Sequence, residues 1–177
     1  VGTDSLKILA ADSDGREDLD SLIEDITYAV ITGLADYCRK SGIKQIVLGL
    51  SGGIDSAVAA CVACAAVGPG NVLGIAMPSR FSSQHSLDDA KYTAEALGME
   101  FKIQPIDEMH SALEGQITEV LDNGNPVASE NIQSRLRGII VMAHANAQSR
   151  MAIATGNKSE LAQGYCTLYG DRAGGYT

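Results

Sequence analysis

Apolar side chains recur at helical spacing from Leu19 to Cys38 (Leu19, Leu22, Ile23, Ile26, Val30, Leu34 and Cys38), which predicts an amphipathic helix with Gly42 as its stop. Lys44 to Leu50, KQIVLGL, is then a short apolar run of the kind found in strands buried on both faces. Helical character returns at about Ile54 and holds to Val67, where Gly68, Pro69 and Gly70 end it, and a second apolar strand is expected from Asn71 to Met77. A loop PSRFSSQH follows, then a helix near Leu87 to Leu97 stopped by Gly98, a strand near Phe101 to Ile106, and helical character from Asp107 to about Leu121. After the turn-rich DNGNPVAS, a helix from about Glu130 to Ser149 is expected to turn Ile132, Leu136, Ile139, Ile140 and Ala143 inward, and MAIATG at 151–156 is the next strand. Strands alternating with helices of this length predict an α/β fold: a doubly wound parallel sheet with helices on both faces, joined by right-handed crossovers. Such sheets take ligands at the carboxyl ends of their strands, where Ser51, Ser79 and Thr155 fall.

The length of 177 residues fits one domain and leaves little room for two full catalytic ones. Residues 1–16, rich in Asp, Ser and Gly, read as a linker or the remnant of an upstream domain, and 17–177 as the folded domain. Hydrophobic residues at 45% and charged residues at 20% exclude wholesale disorder. With 13 Lys and Arg against 22 Asp and Glu, the net charge of −9 argues against broad binding to nucleic acid or to an anionic membrane, so an anionic ligand needs a local site. No apolar run approaches the roughly 20 residues of a membrane span. The acidic start VGTDSLKILAADSDGRED lacks a signal-peptide pattern, and the expected location is cytoplasmic.

Four cysteines (Cys38, Cys61, Cys64 and Cys166) are too few for a disulfide framework. The Cys61-x-x-Cys64 pair lies in the alanine-rich run SAVAACVACAAV, where both sulfurs read as sharing one packed helix face. His85, His110 and His144 stand at no zinc-ligand spacing.

The chemistry concentrates in Gly49-Leu50-Ser51-Gly52-Gly53-Ile54-Asp55-Ser56, between a strand and a helix. Glycines let the backbone turn tightly and approach a ligand, and the amides and positive end of the following helix face the same spot, so the segment predicts an anion cradle. Ser51 and Ser56 add hydroxyls, while Asp55 adds a carboxylate that would repel a phosphate unless a divalent cation stood between them. The Walker lysine is missing. Gly49-x-Ser51-x-Gly53 also satisfies the nucleophile-elbow pattern of a GxSxG serine hydrolase, for which Asp88 or Asp107 and then His144 would complete a triad; no HGGG-type oxyanion motif accompanies it.

SGGIDS in this setting resembles the PP-loop of the N-type ATP pyrophosphatases, which cleave ATP between its α and β phosphates. Three further segments narrow the resemblance: MPSR at 77–80 with Ser82, Ser83, Ser86 and Asp89; NIQSRLRG at 131–138; and TGNKSE at 155–160 followed by GYCTLYGD at 164–171. Together they look like NAD synthetase, more like the synthetase domain of the glutamine-dependent form than the stand-alone ammonia-dependent form. Another PP-loop enzyme, GMP synthetase-like or tRNA-modifying, is the alternative.

The resemblance implies an adenine-nucleotide alpha hydrolase-like fold and a ligase that amidates deamido-NAD. ATP and the nicotinate carboxylate give an adenylated carboxyl with release of pyrophosphate, and ammonia then displaces AMP. By motif it implies that Gly49, Leu50, Ser51, Gly52, Gly53, Ile54, Asp55 and Ser56 hold the ATP phosphates, with Asp55, Ser51 and Ser56 closest to the chemistry. Thr155 would contact ATP; Asn131, Arg135 and Glu160 would bind deamido-NAD; and Asp55 and Glu160 would hold Mg2+. On the residues alone, Arg135 and Arg137 read equally as the solvated side of a helix, Thr155 and Glu160 as a strand-end turn and a helix cap, and Glu130 as a surface charge. The family's glutaminase domain, with its Glu-Lys-Cys site, does not precede residue 1, so no cysteine here is assigned glutamine hydrolysis and ammonia comes from that absent partner domain. The family also continues beyond Thr177, which implies a C-terminal truncation and a fragment without full activity, and it implies a homo-oligomer.

Overall fold

The structure, a computed structural model, describes residues 16–122, 124–125 and 127–176. The expected linker at 1–16 lies outside them except for Arg16, which opens the first helix. The elements are α1 (Arg16–Ser41), β1 (Ile46–Gly49), α2 (Ile54–Val67), β2 (Val72–Ala76), α3 (Gln84–Leu97), β3 (Glu100–Ile103), α4 (Asp107–Gln116), α5 (Thr118–Asp122), α6 (Val127–Gln148), β4 (Met151–Ile153) and α7 (Lys158–Gln163). The four strands form one parallel sheet in the order β3-β2-β1-β4.

The strands read as continuous apolar runs because both faces of the sheet are covered. Side chains alternate across a strand. Ile46 and Leu48 of β1, Val72 and Ala76 of β2, and Met151 and Ile153 of β4 therefore join a core with α1, α2 and α3. Val47, Leu73, Ile75 and Ala152 point the other way, into a core with Ile140, Val141 and Ala145 of α6. Ile46, Val47 and Leu48 are wholly buried, each contributing about 1.5–3 kcal/mol relative to exposure. β3 forms one edge and carries charge there: Lys102 pairs with Glu100 at 3.3 Å and Arg150 reaches Glu100 at 3.0 Å, which blunts the edge against further pairing. Beyond β3 the ladder continues through Gln104 N to Ala76 O (2.8 Å) and Ile106 N to Pro78 O (3.0 Å). On the other edge, residues 175–176 run beside β4, with Gly175 N on Ala152 O at 2.8 Å and Ala154 N on Tyr176 O at 3.0 Å.

Four expectations need correcting. The apolar stripe of α1 packs only at its C-terminal end, through Leu34 and Cys38, while Leu19, Ile23, Ile26 and Val30 are exposed. On α6 the buried line is Leu136, Ile140, Val141 and Ala145, so Ile139 (61% exposed) and Ala143 face outward. Cys61 is exposed, whereas Cys64 is buried with its Sγ 3.9 Å from Met99 Sδ, and burial pushes its thiol above the ordinary range. The helix expected over 107–121 is also interrupted at Ile117, between α4 and α5. Among the described residues no helix is long and apolar enough to cross a membrane.

Candidate functional site

The turn from β1 into α2 is built around one glycine. Gly52 has φ +85°, and a side chain there would overlap the backbone carbonyl of Ser86, so only glycine fits without strain. Ser56, buried at the first turn of α2, ties the loop: its Oγ donates to Gly53 O at 2.9 Å and accepts from Ser51 N at 3.2 Å. Ser51 Oγ lies 3.1 Å from Ser56 Oγ and accepts the Gly53 amide at 3.2 Å. Gly53, the N-cap, has no side chain to cap the helix, so the opening amides of α2 are left for a ligand and concentrate positive potential there. Asp55 is exposed in that first turn and has no ion-pair partner among the described residues.

A cavity of about 400 Å³ opens at the carboxyl ends of the strands, a volume suited to a small-molecule ligand. Gly49, Leu50 and Ser51 line it from β1, Met77 and Pro78 from β2, and Ala154 and Thr155 from β4. Ser82 and Ser86 add hydroxyls, and Arg137 of α6 adds a cation. Arg137 Nε donates to Met77 O at 3.1 Å, and burial pulls its guanidinium below its ordinary value. Arg80, by contrast, turns away: its amide donates to Asp107 Oδ1 at 2.8 Å and its Nη2 to Ser111 Oγ at 2.7 Å, fastening the loop after β2 to α4.

A second cavity of about 390 Å³ adjoins the first, the two sharing Ser134 and Asp171. Glu130, Asn131, Glu160 and Cys166 also line it. Its outer wall, residues 164–171, is clasped by α6. Asn131 Oδ1 accepts from Thr167 Oγ1 at 2.8 Å, Ser134 Oγ accepts from Asp171 N at 3.0 Å, and Arg135 Nε donates to Leu168 O at 3.2 Å. Asp171 Oδ1 in turn accepts the Thr167 amide at 2.7 Å. At the start of α7, Glu160 N donates to Asn157 Oδ1 at 2.9 Å and Asn157 N to Glu160 Oε2 at 3.1 Å, a reciprocal capping box that fixes the Glu160 carboxylate.

Gly49, Leu50, Ser51 and Thr155 thus share the first cavity, and Asn131 and Glu160 share the second. Gly52, Gly53, Ile54, Asp55 and Ser56 form the loop and helix start beside the first without lining it. Arg135 is exposed and lines neither, its guanidinium serving the Leu168 carbonyl. The hydrolase triad is not assembled among the described residues: His144 bonds Gln104 at 3.1 Å, Asp107 bonds Arg80 and Asp88 bonds Gln84. Sequence reasoning did not assign Ser134, Asp171 or Cys166 to a site, and it read Glu130 as a surface charge. Only the fold of 164–171 onto α6 brings these residues to a cavity.

The NAD synthase family matches residues 26–177. Over 155 residues the chain is 53% identical to the glutamine-dependent NAD(+) synthetase of Rhodobacter capsulatus, covering 87% of this chain and 28% of that protein. Among solved structures it resembles the glutamine-dependent NAD+ synthetase of Acinetobacter baumannii in complex with ADP, with a TM-score of 0.83 and 37% identity over 86% of this chain and 29% of that one. The NH3-dependent NAD synthetase of Campylobacter jejuni superposes with a TM-score of 0.78 at 33% identity, covering 86% of this chain and 65% of that one. The chain therefore spans less than a third of the length of the glutamine-dependent relatives described here.

Proposed function

Because this chain belongs to the NAD synthase family, we propose that it carries the synthetase half-reaction of a glutamine-dependent enzyme: ATP-dependent amidation of deamido-NAD to NAD. The carboxylate of deamido-NAD attacks the α phosphorus of ATP, pyrophosphate leaves, and ammonia displaces AMP from the adenylated carboxyl. Adenylation is needed because a free carboxylate is a poor electrophile. The observation that carries this reading is the uncapped start of α2 beside a glycine-turned loop at the strand ends. It offers backbone amides to the phosphates, where preorganised donors stabilise charge without reorganisation. Ser56 holds that loop in shape, and Ser51 presents its hydroxyl to the cavity. Thr155 supports ATP from β4, and the second cavity, with Asn131 and Glu160, is the place for deamido-NAD. Arg135 acts on deamido-NAD by holding the 164–171 wall through Leu168.

Among the described residues no group of three or more His, Cys, Asp or Glu side chains could cage a metal. Asp55 and Glu160 stand in the first turns of the helices that follow the paired strands β1 and β4, and one or two carboxylates plus waters and substrate phosphates is the donor set Mg2+ takes. Asp55 and Glu160 would hold it, and bound there it would neutralise phosphate charge and orient the in-line displacement. In the same reading residues 17–177 are the synthetase domain, ammonia is delivered by a glutaminase domain, the protein is a cytoplasmic homo-oligomer, and neither nucleic acid nor membrane is a partner.

The test is to incubate the protein with ATP, Mg2+, ammonium and deamido-NAD and to identify the products. NAD, AMP and pyrophosphate are expected. ADP and phosphate would place the chain in another class of ATP-using enzyme and overturn the proposal.

A further inference from the structure

The two cavities are short of positive charge for the ligands they are proposed to take. Among the described residues that line them, Arg137 is the one Lys or Arg, and it already serves the Met77 carbonyl. The second cavity is bordered by three carboxylates, Glu130, Glu160 and Asp171. A dinucleotide acid, with a carboxylate and a diphosphate, would enter a field of its own sign.

Arg172, next to Asp171, holds the missing charge. Its Nε and Nη2 are buried, and neither has a hydrogen-bond partner among the described residues. Arg172 as a whole is only part-buried, but donors as enclosed as its Nε and Nη2 are costly to leave unpaired, so native structures seldom keep them without a use. The guanidinium lies behind the turn that follows β4. A Cβ built on Gly156 would stand 3.8 Å from Arg172 Nε, 3.9 Å from its Cζ and 3.6 Å from Glu160 Oε2. Thr155, on one side of Gly156, lines the first cavity, and Glu160, beyond it, lines the second. The cover over the guanidinium on this side is therefore bare backbone. Glu160 does not satisfy these donors: its Oε2 accepts the Asn157 amide, and neither Arg172 Nε nor Nη2 has a hydrogen-bond partner among the described residues.

We propose that Arg172 is an oxyanion-binding residue for the acid substrate, its two free N–H groups receiving a carboxylate or diphosphate oxygen when the Gly156 turn yields to the ligand. This rests on the functional reading above, which names deamido-NAD as that substrate. The fork of a guanidinium suits either oxyanion, because both present paired acceptors.

Calorimetric titration of this chain with deamido-NAD, with NAD and with ATP and Mg2+, in the wild type and in Arg172→Met, tests it. Deamido-NAD affinity is expected to fall about thirtyfold or more in the variant, the usual scale for removing one partner of a buried charged contact, with ATP affinity held within about threefold. NAD keeps the diphosphate and lacks the carboxylate. An equal loss for NAD identifies the diphosphate as the bound group, and a loss confined to deamido-NAD identifies the carboxylate. Unchanged deamido-NAD affinity overturns the proposal, as does an equal loss for ATP, which marks general damage to the site. A wild-type chain that binds none of the three nucleotides overturns the functional reading and this inference with it, whereas wild-type binding with an insensitive variant overturns this inference alone. Should circular dichroism show Arg172→Met unfolded, Arg172→Gln, which keeps donors and drops the charge, is read by the same criteria.

Discussion

Two strand-to-helix turns stand side by side at the carboxyl edge of the sheet, because β1 and β4 are paired neighbours. They solve the problem of a helix start in opposite ways. After β4, Asn157 and Glu160 cap each other's backbone amides, so α7 begins satisfied by its own side chains. After β1, Gly53 contributes no cap, and the serines are spent on the loop's own shape. A helix start that its own chain leaves open is available to a ligand's negative charge, while a closed one instead immobilises an acidic side chain. One turn leaves its opening amides without a side-chain cap, the other holds a carboxylate still.

Substitutions that blur this contrast have graded consequences. Gly52→Ala attacks the open turn most severely, because it adds a side chain at positive φ against the Ser86 backbone. A cost of about 2–5 kcal/mol is expected from the left-handed backbone and the overpacking together. It should appear as a melting temperature lowered by about 5 °C or more, with no further stabilisation on adding ATP and Mg2+. An alanine variant with wild-type melting and ATP binding would show that the loop is not held as described.

Asp55→Asn keeps the size of the side chain and removes the charge proposed to draw magnesium to that turn. In enzyme active to begin with, pyrophosphate release is expected to fall about a hundredfold, equivalent to about 2.7 kcal/mol, with thermal unfolding unaltered because the residue is exposed. Wild-type turnover with unchanged magnesium dependence would reassign the metal ligands.

Asn157→Ala opens the closed turn. Loss of the cap is worth about 1 kcal/mol, and the Glu160 and Leu161 amides should exchange faster with solvent. Deamido-NAD affinity should decline with ATP affinity intact. Equal exchange in both proteins would mean that the capping box does not hold α7.

Gly53→Ser, the mildest change, gives the open turn a cap of its own. A gain of a few tenths of a kcal/mol in stability is expected, along with weaker ATP binding, because the new hydroxyl competes for amides the phosphates would use. Calorimetry showing tighter ATP binding would argue that those amides are not the phosphate site.

The open turn was largely legible in the sequence. Its glycines, its hydroxyls and the apolar strand before it are local signals, and α2 runs over the expected Ile54–Val67 because Gly68, Pro69 and Gly70 stop it. The clasp of α6 on the wall of the second cavity was not legible, although the resemblance had marked GYCTLYGD at 164–171. Asn131, Ser134 and Arg135 meet residues 167–171 through backbone groups and short side chains, and any polar residue on that helix face would have looked the same. Periodicity also failed to choose between two apolar lines on α6. Ile139 and Ala143 have helical spacing just as Val141 and Ala145 do, and only the position of the sheet decides which pair is buried. On α1 the stripe continues past the point where α2 can cover it, so its N-terminal half shows helix pattern without burial.

The pairing of β1 with β4 has a kinetic consequence. β1, β2 and β3 follow one another closely along the chain, but Ile46 of β1 finds its other neighbour only at Met151. Until that distant segment docks, the most apolar strand of the sheet has one unprotected edge, and closing so long a loop delays the docking. The turn proposed to bind phosphate leaves from that same strand. Its maturation is therefore tied to a contact between segments far apart in the chain, and a chain caught before closure would expose an edge prone to self-association.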